Sequence, residues 1–305
     1  MPKKLNLGLA DLMLFAFAVL GAPNYAVMKI VMQDLPALVI ATIRFTVSGL
    51  VILAVAYVVD GNLALPPNAR LRTLLLGVTG IFGYQILFVN GLAATTSGNA
   101  ALLVAMSPIF TTIYALAART EKMTGKVIGG ILMGFIGVFL IILGKDGSVG
   151  LGFNSLYGDL LMLLASVMWA SYGIMGNSLI QSVSPIKATA YAMLSGAALL
   201  AIASGKGFFT ANWGAVTPAA WWSLAYVTLI SCGLVYVLWY LGVQRIGIAR
   251  AMVYMYFQPI VAMITGAWLL HEKVSWMQIL GAAVIIGSVA IVRRTAGTGQ
   301  VSAAK

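Results

Sequence analysis

Long apolar stretches of about twenty residues follow one another along the chain, with only short polar segments between them. Stretches of that length are what a helix needs to cross the hydrocarbon core of a bilayer. A transmembrane β-barrel would show shorter segments of alternating polarity, and unbroken apolar runs such as residues 50–56 argue against it. The pattern predicts an all-α integral membrane protein with ten transmembrane helices, numbered α1 to α10 in chain order: 9–31, 36–59, 70–90, 97–119, 124–143, 155–178, 185–204, 219–242, 247–270 and 274–292.

Landmark residues of the first half recur in the second half at the same spacing. Pro108 precedes Glu121 as Pro259 precedes Glu272. If each half holds five helices, an odd number, the second half starts on the opposite side of the membrane. We therefore predict two inverted five-helix repeats, residues 1–148 and residues 149–305, the second ending in a short cytoplasmic tail. In many transporters the substrate site lies near the bilayer midplane at the seam between such repeats.

Composition and charge fit a membrane protein. Hydrophobic residues make up 61% of the chain and charged residues 8%, against about a quarter charged in soluble domains. The net charge of +11 would suit a nucleic-acid partner, but the Lys and Arg residues form no single basic face or tail. They fall mainly in the two termini and in alternate loops. Because an excess of Lys and Arg marks the cytoplasmic side, we expect both termini in the cytoplasm, the lipid bilayer as a partner and no nucleic acid.

Polar and aromatic residues at helix centres are the candidate substrate-binding residues, because an unpaired polar group in hydrocarbon is costly and usually faces a cavity or a partner. They are Asn24 and Tyr25 in α1, Tyr84 and Gln85 in α3, Asn99 and Met106 in α4, Trp169 and Tyr172 in α6, Tyr236 and Tyr240 in α8, and Tyr254 and Gln258 in α9. Trp169 lies about 20 Å along its helix, deeper than an interfacial aromatic belt. Helix packing is the alternative role for each of these residues.

Prolines and one buried charge are further candidates. Pro23, Pro108 and Pro259 are candidate hinge or gate residues, since proline removes a backbone donor and broken helices form gates in transporters; static bends are the alternative. Arg44 is a basic residue well within a span, which must reach the interface or find a partner. We hypothesise a structural ion pair between Arg44 and Glu272.

Several features of other protein classes are missing from the sequence. No helix centre contains Asp or Glu, although ion-coupled carriers usually need a buried carboxylate, and no GxxxxGK[ST] phosphate loop is present. His271 alone cannot form a metal site, and no deep catalytic set occurs. We expect facilitated diffusion or exchange, no enzymatic activity, no cofactor and no metal. Coupling through a carboxylate at a helix end, such as Asp11, is the alternative.

Small residues concentrate in α5 and α10. Gly130 and Gly134 form a small-xxx-small step that permits close helix contact. This spacing predicts packing within the bundle or a dimer surface. We expect a monomer, with a dimer as the alternative.

Taken together, the motifs resemble the drug/metabolite transporter superfamily in its ten-helix form with two EamA domains, over about residues 10–294. The motifs are Asn24-Tyr25 with Lys29, Arg44-Phe45, Ala105-Met106-Ser107-Pro108, Glu121, Gly158-Asp159, Trp169-Ala170-Ser171-Tyr172, Tyr256-Phe257-Gln258-Pro259 and Glu272. The resemblance implies a central cavity formed by α1, α3, α4, α6, α8 and α9, with α5 and α10 as scaffold. The chain is also similar to bacterial inner-membrane exporters of amino acids and metabolites of the YddG type, which implies an inner (plasma) membrane location.

The sequence therefore favours an exporter of small amphipathic metabolites, above all aromatic or large apolar amino acids, working by alternating access. The alternatives are an exporter of drugs, sugars or nucleotide sugars, and a membrane scaffold that transports nothing. A nucleotide cargo would call for several deep basic residues and a cationic drug for a deep carboxylate, and the sequence supplies neither.

Overall fold

The computed structural model describes residues 7–95, 100, 103–117, 124–146, 153–261, 264 and 275–299. Every regular element in these ranges is a helix, which confirms the all-α class. The observed bounds are α1 Leu7–Gly21 and Asn24–Asp34, α2 Ala37–Asp60, α3 Pro67–Gly77 continuing through Tyr84–Ala94, α5 Gly125–Asp146, α6 Phe153–Leu179, α7 Pro185–Thr210, α8 Pro218–Ala225 continuing through Val235–Ile246, and α10 Trp276–Gly299. Helices α4 and α9 are described in part, α4 over Ser107–Ala117 and α9 from Ile248–Met252 to residue 261.

Six of these helices are long and apolar enough to cross a membrane: α1, α2, α3, α6, α7 and α8. Shorter apolar stretches in α5 and α10 run over Gly125–Leu140 and Trp276–Val292. Large apolar side chains such as Val58, Ile202 and Trp222 lie on the outside of the bundle, each with more than three quarters of its surface exposed. Such a surface is stable only against lipid, because soluble proteins rarely expose large contiguous apolar patches.

Prolines and glycines set several helix ends. Pro67, Pro185 and Pro218 lie in the first turns of their helices, where the missing N–H would have no helical partner in any case. Gly61 ends α2 with φ of 71°, and Gly247 separates α8 from α9 with φ of 81°. Glycine adopts such left-handed conformations at little cost.

The helices pack in reciprocal pairs. Helix α1 packs along α8 and α3 packs along α6, while α2 pairs with α7 and α5 pairs with α10. This arrangement is compatible with a repeat in which α1 matches α6 and α3 matches α8. The inversion of the two repeats, and their boundary near residue 148, remain predictions.

Glycines bring α5 and α10 close together. A Cβ at Gly130 would lie 2.5 Å from a Val292 methyl group, and one at Gly137 would lie 2.7 Å from Ile285 Cγ1. Gly134 faces the ring of Tyr256 in α9. For these three glycines the predicted packing within the bundle is therefore confirmed; the dimer surface was the other interpretation and remains untested.

Four helices lose regular α-helical geometry near the centre of the bundle. Helix α1 breaks between Gly21 and Asn24, and α9 contains a 3-10 turn over Val253–Tyr256. Helices α3 and α8 each contain a π-helical segment, Val78–Gly83 and Tyr226–Leu234. Departures of this kind often mark functional sites, and all four helices line the same central cavity.

Candidate functional site

A cavity lies where seven helices meet. Measured as the volume open to the centres of water molecules, it is about 60 Å³, and one buried water needs roughly 10–15 Å³ on this measure. The lining residues are Phe17, Gly21, Asn24 and Tyr25 of α1, Arg44 of α2, Tyr84, Gln85 and Phe88 of α3, Val104 of α4, Trp169 of α6, Ser231, Val235 and Tyr236 of α8, and Met255 and Gln258 of α9. The six helices implied by the resemblance all contribute, and Arg44 adds a seventh, α2.

One wall of the cavity is polar and centres on Arg44, which is only 2% exposed. Its Nη2 donates to Asn24 Oδ1 at 3.0 Å, its Nε donates to the carbonyl oxygen of Val227 at 3.2 Å, and its Nη1 lies 3.2 Å from Met28 Sδ. Arg44 therefore ties α2 to α1 and α8 at the level of the cavity. The hypothesised partner Glu272 lies outside the described residues, so the ion pair remains a prediction.

Another wall of the cavity is aromatic and centres on Trp169. Its ring lies 5.3 Å from Tyr84 and 5.5 Å from Tyr236, measured between ring centroids, and the contact with Tyr236 is edge to face. The indole Nε1 lies 3.1 Å from Met255 Sδ, and behind Trp169 stands Trp239, at 5.8 Å. Offset and edge-to-face ring pairs are the favourable aromatic geometries, so these contacts hold the indole in one orientation.

The π-helical segments explain how α2 holds the polar wall. In a π-helix the bonds run from residue i to i+5, and the change from α to π geometry leaves carbonyl groups that need another donor. Side chains of α2 donate to two carbonyl groups in the π segment of α8. Arg44 Nε donates to the carbonyl oxygen of Val227, and Ser48 Oγ donates to the carbonyl oxygen of Thr228 at 2.6 Å. A buried carbonyl in a bilayer has no water to bond, so these contacts stabilise the segment.

The candidate hinge prolines lie where the helices are irregular. Pro23 directly precedes Asn24, where α1 resumes. Before Pro108 the chain forms a turn at residues 105–106, and Ser107 Oγ donates to the carbonyl of Val104 at 2.7 Å, the carbonyl that the proline nitrogen cannot serve. Pro259 follows the 3-10 turn of α9. Whether any of the three moves remains a prediction.

Seven of the twelve predicted substrate-binding residues line the cavity: Asn24, Tyr25, Tyr84, Gln85, Trp169, Tyr236 and Gln258. Asn99 lies outside the described residues. The other four lie elsewhere: Met106, Tyr172, Tyr240 and Tyr254.

The three tyrosines of this group each have a packing or bonding partner outside the cavity lining. Tyr172 lies against Gly80, where an added Cβ would lie 1.9 Å from its ring. Tyr240 covers Gly176 in the same way and donates to the carbonyl oxygen of Tyr172 at 3.1 Å. The Tyr254 hydroxyl donates to Asp11 Oδ1 at the start of α1.

Met106 forms part of the turn before Pro108. Its carbonyl oxygen accepts from the backbone N–H groups of Ile109 and Phe110, so its backbone caps the helix that follows. Its half-buried side chain is not part of the cavity lining.

Sequence reasoning missed several lining residues: Phe17, Gly21, Phe88, Val104, Ser231, Val235 and Met255. Ser231 is a polar residue at a helix centre, so the criterion that selected Gln85 could have found it. The apolar residues carry no such signal, because a helix in a bilayer is apolar on its lipid-facing side as well as its buried side.

A bundle of membrane-crossing helices around a central polar and aromatic cavity is typical of polytopic solute transporters. The chain belongs to the EamA-like transporter family, whose family model matches residues 8–143 and 156–294. It is therefore a membrane transporter of this family, within the drug/metabolite transporter superfamily.

Several relatives are also named as transporters. The Bacillus subtilis protein named uncharacterized transporter YyaM is 28% identical over 284 residues, covering 90% of each chain. The Escherichia coli protein named uncharacterized inner membrane transporter YedA is 27% identical over 303 residues, covering 92% of this chain and 89% of its own. A solved crystal structure has the same fold, with a TM-score of 0.79 and 19% identity over 94% of this chain and 97% of its own.

Proposed function

We propose that the protein exports small amphipathic metabolites, specifically aromatic or large apolar amino acids, by alternating access through the central cavity. In this proposal it acts in the bacterial inner membrane with both termini in the cytoplasm, as a monomer, and works by facilitated diffusion or exchange. The observation that carries the proposal is that one cavity is lined both by an aromatic wall around Trp169 and by a polar wall around Arg44. An amino acid with a large apolar side chain has both kinds of surface.

Irregular helices beside the cavity support alternating access, which requires the lining helices to move relative to one another. The breaks in α1 and α9 lie beside the cavity and are places where such movement could be absorbed.

The charges that line the cavity argue against two other cargo classes. Of the residues that the structure describes around the cavity, Arg44 is the one ionised at neutral pH. A nucleotide sugar would need several cations for its phosphates, and a cationic drug would need a carboxylate to offset its desolvation.

The proposal is tested by counterflow in proteoliposomes. Purified protein is reconstituted into vesicles loaded with unlabelled L-phenylalanine, and the entry of labelled L-phenylalanine, L-leucine, L-serine and L-lysine is followed without ATP. We expect labelled phenylalanine and leucine to accumulate transiently at least about fivefold above protein-free vesicles, because exchange needs only the substrate gradient.

Serine and lysine should remain near the background of protein-free vesicles. A proton ionophore should leave the phenylalanine signal unchanged if no ion is coupled. If no amino acid in a full panel moves above background, while the protein is folded and correctly inserted, the scaffold interpretation replaces this proposal.

A further inference from the structure

Arg44 is buried in the cavity with part of its bonding capacity unused. A guanidinium carries five N–H donors, and three of them point at Asn24, Val227 and Met28. One of these three acceptors is a thioether sulfur, which accepts hydrogen bonds only weakly. In the part of the chain that the structure describes, no carboxylate is among its bonding partners. A cation held in this way is available to an anionic group that enters the cavity.

Packing between the helices does not itself require a cation at this position. Helices α2 and α7 pack against each other, and each packs on the π segment of a neighbouring helix. Arg44 lies eight residues after Pro36 at the start of α2, and the residue at the same distance after Pro185 in α7 is Met193. Met193 is fully buried and packs on Gly49. An apolar side chain therefore fulfils the packing role in the matching helix.

A second group in the same cavity has a buried atom without a partner. The described residues give Gln85 Oε1 no hydrogen-bond donor, although the Gln85 amide also contacts the Tyr236 hydroxyl. A buried acceptor without a donor is costly, and Gln85 lines the same cavity as Arg44. The cavity therefore contains unused N–H donors on Arg44 and an unused acceptor on Gln85, and both indicate a polar ligand.

We propose that Arg44 binds the carboxylate of the transported substrate, with the amide oxygen of Gln85 available to a donor of the same substrate, such as its ammonium group. This proposal deepens the proposed function, because it requires a substrate to enter the cavity. It specifies the substrate class as carboxylates with an aromatic or large apolar side chain. Arginine suits the task because its planar fork can form two parallel hydrogen bonds with a carboxylate.

The first test uses the wild-type protein, so it does not depend on how a variant folds. Three probes compete with labelled L-phenylalanine in proteoliposomes: 3-phenylpropionate, which lacks the amine, 2-phenylethylamine, which lacks the carboxylate, and unlabelled L-phenylalanine. We expect 3-phenylpropionate to inhibit at concentrations within about tenfold of phenylalanine. We expect 2-phenylethylamine to need at least about tenfold more than 3-phenylpropionate, the order of one lost charge-assisted bond.

The second test changes the side chain. Arg44→Gln removes the charge, Arg44→Lys keeps the charge but loses the fork, and Lys206→Gln removes an exposed charge at the far end of α7. Variants are compared at equal amounts of folded, reconstituted protein. We expect Arg44→Gln to lower phenylalanine counterflow at least about tenfold, Arg44→Lys to retain an intermediate rate, and Lys206→Gln to match wild type.

The outcomes separate this inference from the proposed function. If wild type moves phenylalanine but 2-phenylethylamine competes as well as 3-phenylpropionate, carboxylate binding is overturned and the exporter proposal stands. Full transport by Arg44→Gln would overturn it equally. If Glu272→Gln reproduces the loss of carboxylate selectivity seen in Arg44→Gln, Arg44 serves an ion pair, and the proposal is again overturned. If wild type moves none of the compounds, both proposals fail together.

Discussion

Helices α1 and α6 each carry an aspartate near their start, Asp11 and Asp159, and each contribute to the cavity, yet their courses differ. Helix α1 breaks between Gly21 and Asn24, whereas α6 is continuous over Phe153–Leu179. At the break, Asn24 accepts a hydrogen bond from Arg44. On the continuous helix, Trp169 is fixed by ring contacts on several sides. The broken helix thus contributes Asn24 to the polar wall, and the unbroken helix contributes Trp169 to the aromatic wall.

This difference shows how two similar halves can build one asymmetric site. A proline at the centre of a helix frees backbone groups, and polar side chains and water must then bond them, which favours a polar surface there. A regular helix leaves no backbone group to satisfy, so its buried face can be wholly aromatic. The same contrast appears between α2, which carries Arg44, and α7, which carries Met193 at the matching position.

The largest effect, a loss of folded protein, should follow from placing a proline in the middle of α6, as Pro23 lies in the middle of α1. Ala170 is 3% exposed and lies within the regular helix, where proline removes a hydrogen bond and clashes with the preceding turn at a cost of about 3 kcal/mol or more. We expect Ala170→Pro to abolish folded protein in the membrane, as measured by abundance and by fluorescence-detected size-exclusion chromatography.

The matched control is Ala37→Pro at the first residue of α2. Proline is favoured at a first helical position, so this variant should accumulate like wild type. Normal abundance and an unchanged elution profile for Ala170→Pro would show that α6 bends as readily as α1, and the contrast between the two helices would be wrong.

The next largest effect, a loss of transport, should follow from removing the central ring of the aromatic wall. Trp169→Ala deletes the ring that contacts Tyr84, Tyr172, Tyr236 and Trp239. We expect phenylalanine counterflow to fall by about tenfold or more, which corresponds to about 1.4 kcal/mol, at near-normal abundance in the membrane. Trp222→Ala is the control, because Trp222 is 79% exposed on the outside of the bundle and should leave counterflow unchanged. Equal rates for Trp169→Ala and wild type would remove Trp169 from the site.

A smaller effect should follow from repairing the break in α1. Pro23→Ala restores a backbone donor and favours a continuous helix, which would turn Asn24 away from Arg44. We expect counterflow to fall about threefold to tenfold, the range for one ordinary intramolecular hydrogen bond, while the melting temperature stays equal or rises. Pro218→Ala at the start of α8 provides the control and should change neither quantity. An unchanged rate for Pro23→Ala would mean that the break does not shape the polar wall.

The sequence was sufficient to predict the all-α class and the six long apolar helices, and Pro23 marked the break in α1. It was insufficient wherever the result depended on which way a side chain points around its helix. Tyr172 and Tyr240 are not part of the cavity lining, because their rings pack against Gly80 and Gly176; their role in substrate binding remains a prediction. A membrane helix has no strong polar face from which such directions can be read.

The π-helical segments were also not predicted. Several glycines lie around Val78–Gly83 and one lies within Tyr226–Leu234, but glycine is common in membrane helices for other reasons. Because Tyr84 and Gln85 directly follow the first segment and Ser231 lies within the second, the added residue in the helical turn changes which side chains reach the cavity. The tertiary contacts of α2 and α7, rather than local sequence, stabilise these segments.

The central claim is that α1 and α6 begin on opposite sides of the membrane and meet at one cavity. Its most direct test is labelling of single cysteines at the exposed positions Gly8 and Tyr157, at the starts of the two helices, in a Cys232→Ala background. With a membrane-impermeant maleimide on intact cells, the account predicts that Tyr157→Cys is labelled at once and Gly8→Cys only after the membrane is permeabilised. Labelling of both cysteines from the same side would contradict the inverted arrangement and the shared cavity that depends on it.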